Sequence, residues 1–248
     1  MIVVARRHTG QGEVTILRSR SNGSHAYALG SWYQSHADSQ GVSLAAYVHA
    51  IYGFALQTRA ERILVIGCAG GTLGTMLARA GREVDMVDID RDAFMLARRY
   101  FNLAPEVECH VADGRAFLAR TSKSFDAIVV DAFDRNTLPH HLCTVEFFRL
   151  ARRRLNLHGT ILFNAVVAHD LDRIADRVAA GMSAAGLPAR ILDTPGERDR
   201  NAVIAAGNVA GLERPSVMVP TEALVHMLAA ELGAMTFRDP RSAEPLRD

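Results

Sequence analysis

ILVIGCAGGTLGTMLARAG, residues Ile63–Gly81, is the stretch on which the fold turns. ILVIG is a short unbroken apolar run, the pattern of a strand buried on both faces. TLGTMLARAG then takes up helical periodicity and stops at Gly81. Between them, Gly67-Cys68-Ala69-Gly70-Gly71-Thr72 carries the chain from strand to helix. Glycines there let the backbone approach a ligand closely, and the helix start supplies free N–H groups. The plainer reading is a tight turn with no ligand.

The same grammar continues downstream. EVDMVDID is a strand, followed by the helix RDAFMLARRYFNL, whose apolar face is expected at Phe94, Met95, Ala97, Tyr100 and Phe101. VECHVAD is a third strand, GRAFLAR a short helix and FDAIVVDAF a fourth strand. CTVEFFRLARRRLNLHG reads as a helix stopped by Gly159, with Arg152, Arg153 and Arg154 complementing its dipole. TILFNAVV is a fifth strand and LDRIADRVAAGMSAAG a helix; ARILDT and NAVIAAG read as a closing pair of strands. Strands alternating with helices imply an α/β, Rossmann-like fold with a parallel sheet covered on both faces.

Upstream of Ile63 the pattern differs. MIVVARR, EVTILRSR and SHAYALGSWYQS have the look of a small β-meander, turned at Ser21–Gly23, and SLAAYVHAIYGFAL is a helix leading into the core. Past Gly211 come Pro215, Pro220, a helix TEALVHMLAAELG and a polar tail expected to fray. The organisation expected is a meander over residues 1–41, a Rossmann-like cofactor-binding catalytic domain over 42–212, and a C-terminal helix and tail over 213–248.

Composition narrows the function. The 248 residues carry a formal net charge of +1, so nothing favours nucleic acid as a partner. No apolar stretch reaches the ~20 residues of a membrane span, and the N-terminus lacks the order of a signal peptide. Three dispersed cysteines, Cys68, Cys109 and Cys143, suggest neither disulfides nor a zinc knuckle and fit a reducing, cytoplasmic compartment. His36 and Asp38 lack a third ligand at convincing spacing, so no metal is expected. A single lysine, Lys123, sits in a polar loop, which argues against Schiff-base or P-loop chemistry.

Three strand ends carry aspartates. Asp88 closes the second strand about twenty residues beyond Gly67, where a carboxylate can accept from ribose hydroxyls. Asp113 follows the third strand, where it can meet an adenine edge, cap the next helix, or do both. Asp131 and Asp134 follow the fourth strand, facing the ligand crevice of an open α/β sheet; a loop or capping role is the plainer reading, more so for Asp134. These features suit an adenosyl ligand without separating a nicotinamide cofactor from a sulfonium one, although no second substrate domain supports an NAD-dependent oxidoreductase.

ILVIGCAGGTL, MVDID, VADGRAFL, VVDAFD and LPHHLCTVEFF, taken in order, resemble the motifs of the spermidine synthase (polyamine aminopropyltransferase) family from about Leu29 to about Val166. The resemblance implies the class I S-adenosylmethionine-dependent transferase fold behind a β-meander. It also implies S-adenosylmethionine or its decarboxylated form as co-substrate, a small amine or polyamine acceptor, and a homodimer. By the same resemblance Gln34, Gly67, Gly70, Gly71, Asp88 and Asp113 bind the cofactor. Asp131 lies beside the attacking amine as the catalytic group, and Asp134 and Tyr47 lie by the substrate. One position departs: where the family has GGGDGG, whose aspartate takes the amino group of the donor's tail, this chain has Gly70. That departure leaves a small-molecule methyltransferase as the alternative, with a non-catalytic nucleoside-binding homologue as a third reading.

Overall fold

The computed structural model describes residues 1–134, 137–219 and 225–248. Two sheets organise them. The first is an antiparallel meander in chain order: β1 (Ile2–Thr9), β2 (Gly12–Arg18), β3 (His25–Leu29) and β4 (Trp32–Ala37). SHAYALGSWYQS therefore holds two strands rather than one, because Gly30 takes φ +59° and turns the chain back. The β3–β4 register slips by one residue: Tyr27 faces Ser35 but Ala28 faces Tyr33, leaving Gln34 as a bulge.

The second sheet has eight strands. β5 (Arg62–Ile66), β6 (Glu83–Asp88), β7 (Glu108–Val111), β8 (Phe125–Val130) and β9 (Leu155–Val167) pair in parallel, while β10 (Ala189–Asp193), β11 (Arg200–Gly207) and β12 (Thr236–Arg238) add antiparallel. Their spatial order is β12-β10-β11-β9-β8-β5-β6-β7. The strand order reverses between β5 and β8, and the crevice beyond their carboxyl ends is the place where such sheets bind ligands. This is the Rossmann-like class I fold with an N-terminal meander.

Alternation explains why ILVIG is apolar throughout. Ile63 and Val65 pack in one core layer with the helices α1 (Ala46–Gln57) and α2 (Thr72–Arg79), while Leu64 and Ile66 pack in the other. The second layer holds α4 (Gly114–Arg120), α5 (Val145–Arg152) and α6 (Ile174–Ala184). α2 ends at Arg79, and Gly81, at φ +76°, supplies the left-handed stop. A third cluster, with Ile16, Tyr27 and Leu29 from the meander, closes over Phe101 at the end of α3 (Arg91–Tyr100).

Two expectations about the helices need correction. On α3 Phe94, Ala97 and the following Phe101 are buried as expected, but Met95 is exposed, and Ala93 and Leu96 complete the buried face instead. The helix after Cys143 ends at Arg152 rather than at Gly159, and β9 begins at Leu155. Phe125 pairs with Leu155 but Ala127 with Thr160, so Asn156–Gly159 bulge out and Asn156 Nδ2 ties the bulge to Asp126 Oδ1 at 2.7 Å. The C-terminal helix is described over Val225–Ala234 (α7); the expected start at Thr221 lies outside the described residues.

The tail does not fray. Asp176 and Asp193 are fully buried carboxylates, and the tail brings them a cation: Arg238 Nη1 is 2.7 Å from Asp176 Oδ1 and its Nε 3.1 Å from Asp193 Oδ2. Arg200 completes the network at 2.7 Å from Asp193 Oδ1. Farther on, Val145 N–H donates to Leu246 C=O, and Asp248 pairs with Arg115 and accepts from Thr144 Oγ1. Burial works against the charge on Asp193, but Arg200 and Arg238 outweigh it and hold the carboxyl below its usual range. The unfolded chain then binds the proton more readily, so this stabilisation is complete above about pH 4 and fades as pH falls through the folded pKa. Arg238→Ala is expected to cost roughly 3 kcal/mol at neutral pH. Urea unfolding checks it, and the deficit should shrink in acid.

Candidate active site

Two adjoining cavities open at the switch point. The first, ≈ 400 Å³, is walled by the carboxyl ends of β5, β6 and β8, by the loop through His140 and His141, and by Tyr27 and Gln34 of the meander. The second, ≈ 290 Å³, runs between β4, the start of α2, Tyr47 on α1, Asn164 on β9, and Asp199 with Asn201 beside β11. They share Gln34, Gly67, Cys68, Ala69, Asp131 and Phe133. Asp88, Asp113 and Asp131 all line the first cavity.

Gly67 has φ +105°, and a Cβ there would run into the Asp131 carbonyl, so only glycine lets the two strand ends close together. Asp88 Oδ2 accepts from Cys68 N–H at 2.8 Å and Oδ1 from Asp90 N–H at 2.8 Å. These bonds tie the glycine-rich turn to the end of β6 and leave each oxygen a lone pair for the cavity. Burial outweighs them and raises the carboxyl above its usual value. Asp113 does cap a helix: its Oδ1 accepts from Ala116 N–H on α4 at 2.8 Å. Its Oδ2 lies 2.7 Å from His141 Nε2. Burial opposes that charge, but Ala116 N–H and His141 together hold the carboxyl low.

Asp131 stands on the wall common to both cavities. Its Oδ1 accepts from Asn164 Nδ2 at 2.8 Å and its Oδ2 from Tyr47 Oη at 3.2 Å. Burial lifts its pKa, and these two donors restrain the lift. The Tyr47 hydroxyl is pushed well above its ordinary range, first by burial and then by the Asp131 charge, so it stays a donor.

Other expected residues fall differently. Gly71 lines the second cavity in a left-handed conformation at the start of α2. Gly70 lines neither; Ser35 and Phe101 stand over it. Asp134 lies at the exposed mouth of the first cavity, in a backbone pair with Thr137. Ser35, Asn164, Asp199 and Asn201 were not expected. Asn164 had a signal, being the one polar residue inside the apolar run of TILFNAVV; Ser35 had none, because it is the bulge at Gln34 that brings neighbouring residues to one cavity.

Among the described residues one group has metal-ligand geometry, Asp85, Glu108 and His110, with ligand atoms within 4.8 Å of one another. Lys123 Nζ sits 2.8 Å from both Asp85 and Glu108, supplying the positive charge there, and the group is away from both cavities. No helix of the described residues is long and apolar enough to cross a membrane.

The spermine/spermidine synthase domain matches residues 44–174, more than half of the chain. The chain belongs to this family. It is 33% identical over 119 residues to a polyamine aminopropyltransferase of Vibrio vulnificus, a match covering 45% of this chain and 40% of that one. The family member described here thus matches well under half the length of that relative. A probable spermidine synthase from Corynebacterium glutamicum superposes with a TM-score of 0.81 at 21% identity, covering 100% of this chain and 97% of the other. A spermidine synthase in complex with the transition state analogue AdoDATO gives 0.68 at 18% identity, covering 93% and 88%.

Proposed function

We propose that the protein transfers an aminopropyl group from decarboxylated S-adenosylmethionine to a small amine or polyamine. The observation that carries this reading is the sign of the charge around the two cavities. Asp88, Asp90, Asp113, Asp131, Asp134 and Asp199 line them, and none of the described lining residues is lysine or arginine. A donor bearing an ammonium and a sulfonium suits that lining. Intact S-adenosylmethionine would bring a carboxylate into it, with no lining cation among the described residues to meet it.

The first cavity fits a nucleoside: Asp88 offers free lone pairs at a strand end beside a glycine-rich turn, as a ribose requires. When bound, the donor supplies an electrophilic methylene whose C–S bond breaks as the amine's C–N bond forms, leaving a neutral thioether. The chain's task is to align the reactants and to present an uncharged amine. At pH 7 deprotonating an amine of pKa ~10.4 costs about 4–5 kcal/mol. Asp131, on the wall between donor and acceptor, takes that proton and stabilises the ammonium formed. Tyr47 and Asn164 hold its two oxygens in place. A cytoplasmic homodimer, with neither nucleic acid nor membrane as partner, completes the reading; free Cys68, Cys109 and Cys143 support a reducing compartment.

Incubation with decarboxylated donor and a panel of diamines tests the proposal by mass spectrometry. Aminopropylated amine with methylthioadenosine is the expected product pair. Methylated product from the intact donor, and none from the decarboxylated one, would overturn it. Tyr47→Phe removes one of the donors that restrain the pKa of Asp131, so the acid limb of the pH–rate profile should move to higher pH.

A further inference from the structure

We propose that the Ser35 hydroxyl is the contact for the ammonium at the end of the donor's tail. The inference rests on the donor reading above and names the residue that reads the donor's far end. A nucleoside held by Asp88 has its sulfur near Cys68 and Ala69, because Asp88 Oδ2 is bonded to Cys68 N–H and those residues border both cavities. In a displacement at the carbon next to sulfur, the attacking nitrogen lies opposite the sulfur and the rest of the transferred chain projects to the side. Asp131 occupies the nucleophile's side. The lateral wall nearest the glycine-rich turn is β4, where Ser35 lines the second cavity.

Ser35 is placed there by two independent features. The bulge at Gln34 shifts the register of β4, so that successive residues from Trp32 to His36 all border the second cavity. Gly70 then makes room: a Cβ at position 70 would lie 2.7 Å from Ser35 Oγ and 2.9 Å from Phe101 Cδ1, closer than side chains approach. A side chain at 70 and Ser35 in its present position exclude one another. Ser35 thus lines the cavity over this part of the turn, with its hydroxyl beside Gly70, which lines neither cavity.

Several of the neighbouring polar groups are engaged elsewhere. Ser43 Oγ accepts from Ala45 N–H, His36 Nε2 is paired with Ser24 Oγ, and Tyr47 and Asn164 both donate to Asp131. Ser35 Oγ makes no hydrogen bond to the described residues. A hydroxyl carries two lone pairs and accepts from an ammonium without adding charge. The carboxylates of the cavity set the preference for a cationic donor, and Ser35 fixes where the tail ends.

Calorimetry with decarboxylated S-adenosylmethionine and with methylthioadenosine, which shares the nucleoside but has no tail amine, tests this. Ser35→Ala should weaken the decarboxylated donor by about tenfold or more and leave methylthioadenosine within twofold of wild type, a loss of one hydrogen bond to a charged group. Ser35→Asp should strengthen the decarboxylated donor by about fivefold or more. Unchanged methylthioadenosine binding shows that each variant is folded at the nucleoside cavity; if Ser35→Asp misfolds, Ser35→Ala decides alone. Equal loss for both ligands, or no loss for either, would overturn the assignment. If wild type itself bound neither ligand, the failure would lie with the donor reading and not with Ser35.

Discussion

Asp131→Asn is expected to lower turnover by about 10²–10⁴-fold, the contribution of a positioned general base, while donor affinity stays near wild type. The amide keeps the shape and can still accept on one atom, but it neither takes the amine's proton nor offsets the new positive charge. Single-turnover rates beside calorimetry separate the two effects, and turnover within threefold of wild type would refute the role. Stability should move the other way. Burial raises the pKa of Asp131 in the folded chain. Between the unfolded and folded pKa values the native state therefore holds the proton more tightly, and stability falls as pH rises through that window. Above it the ionised carboxylate is a cost the asparagine does not carry, so the variant should melt no lower than wild type at neutral pH. A catalytic group that destabilises its own fold is the pattern expected of a functional residue.

Asp88→Asn should weaken methylthioadenosine and the decarboxylated donor alike, by about 10²-fold or more. Both oxygens of Asp88 already accept from backbone N–H groups, on Cys68 and Asp90. An asparagine must turn its NH₂ toward one of them, setting donor against donor and freeing the turn that shapes the cavity. Loss of one charged hydrogen bond to a ribose and of one to the backbone, at about 1.5–3 kcal/mol each, accounts for the magnitude. Affinity within twofold of wild type would move the ribose elsewhere. The signature differs from that of Ser35→Ala, which spares the ligand without a tail.

The core of the fold was legible because its signals are local. ILVIG, FDAIVV and TILFNAVV are apolar without interruption, which only a strand buried on both faces requires, and Gly81 and Asp113 mark a helix stop and start by backbone chemistry alone. Asp88, Asp113 and Asp131 were legible for the same reason: strand ends converge on one crevice whatever the details. What stayed hidden depends on register. The bulge at Gln34 and the looped-out Asn156–Gly159 each change which side chain faces where, and nothing in the residues themselves announces a slipped pairing. The tail was misread because its polarity suggested solvent. Its arginine answers two buried aspartates far away in sequence, a demand no local window contains.

Arg200 lies between Asp199 and Asn201, both on the wall of the second cavity, and it shares Asp193 with Arg238 of the tail. The wall of the second cavity and the last strand are therefore fastened by one ionic network around Asp193. A protease cut or an engineered truncation ahead of Arg238 would leave Asp193 and Asp176 without that partner and loosen the second cavity's wall before the first cavity's. The far end of this chain thus helps to hold the wall of the second cavity in place.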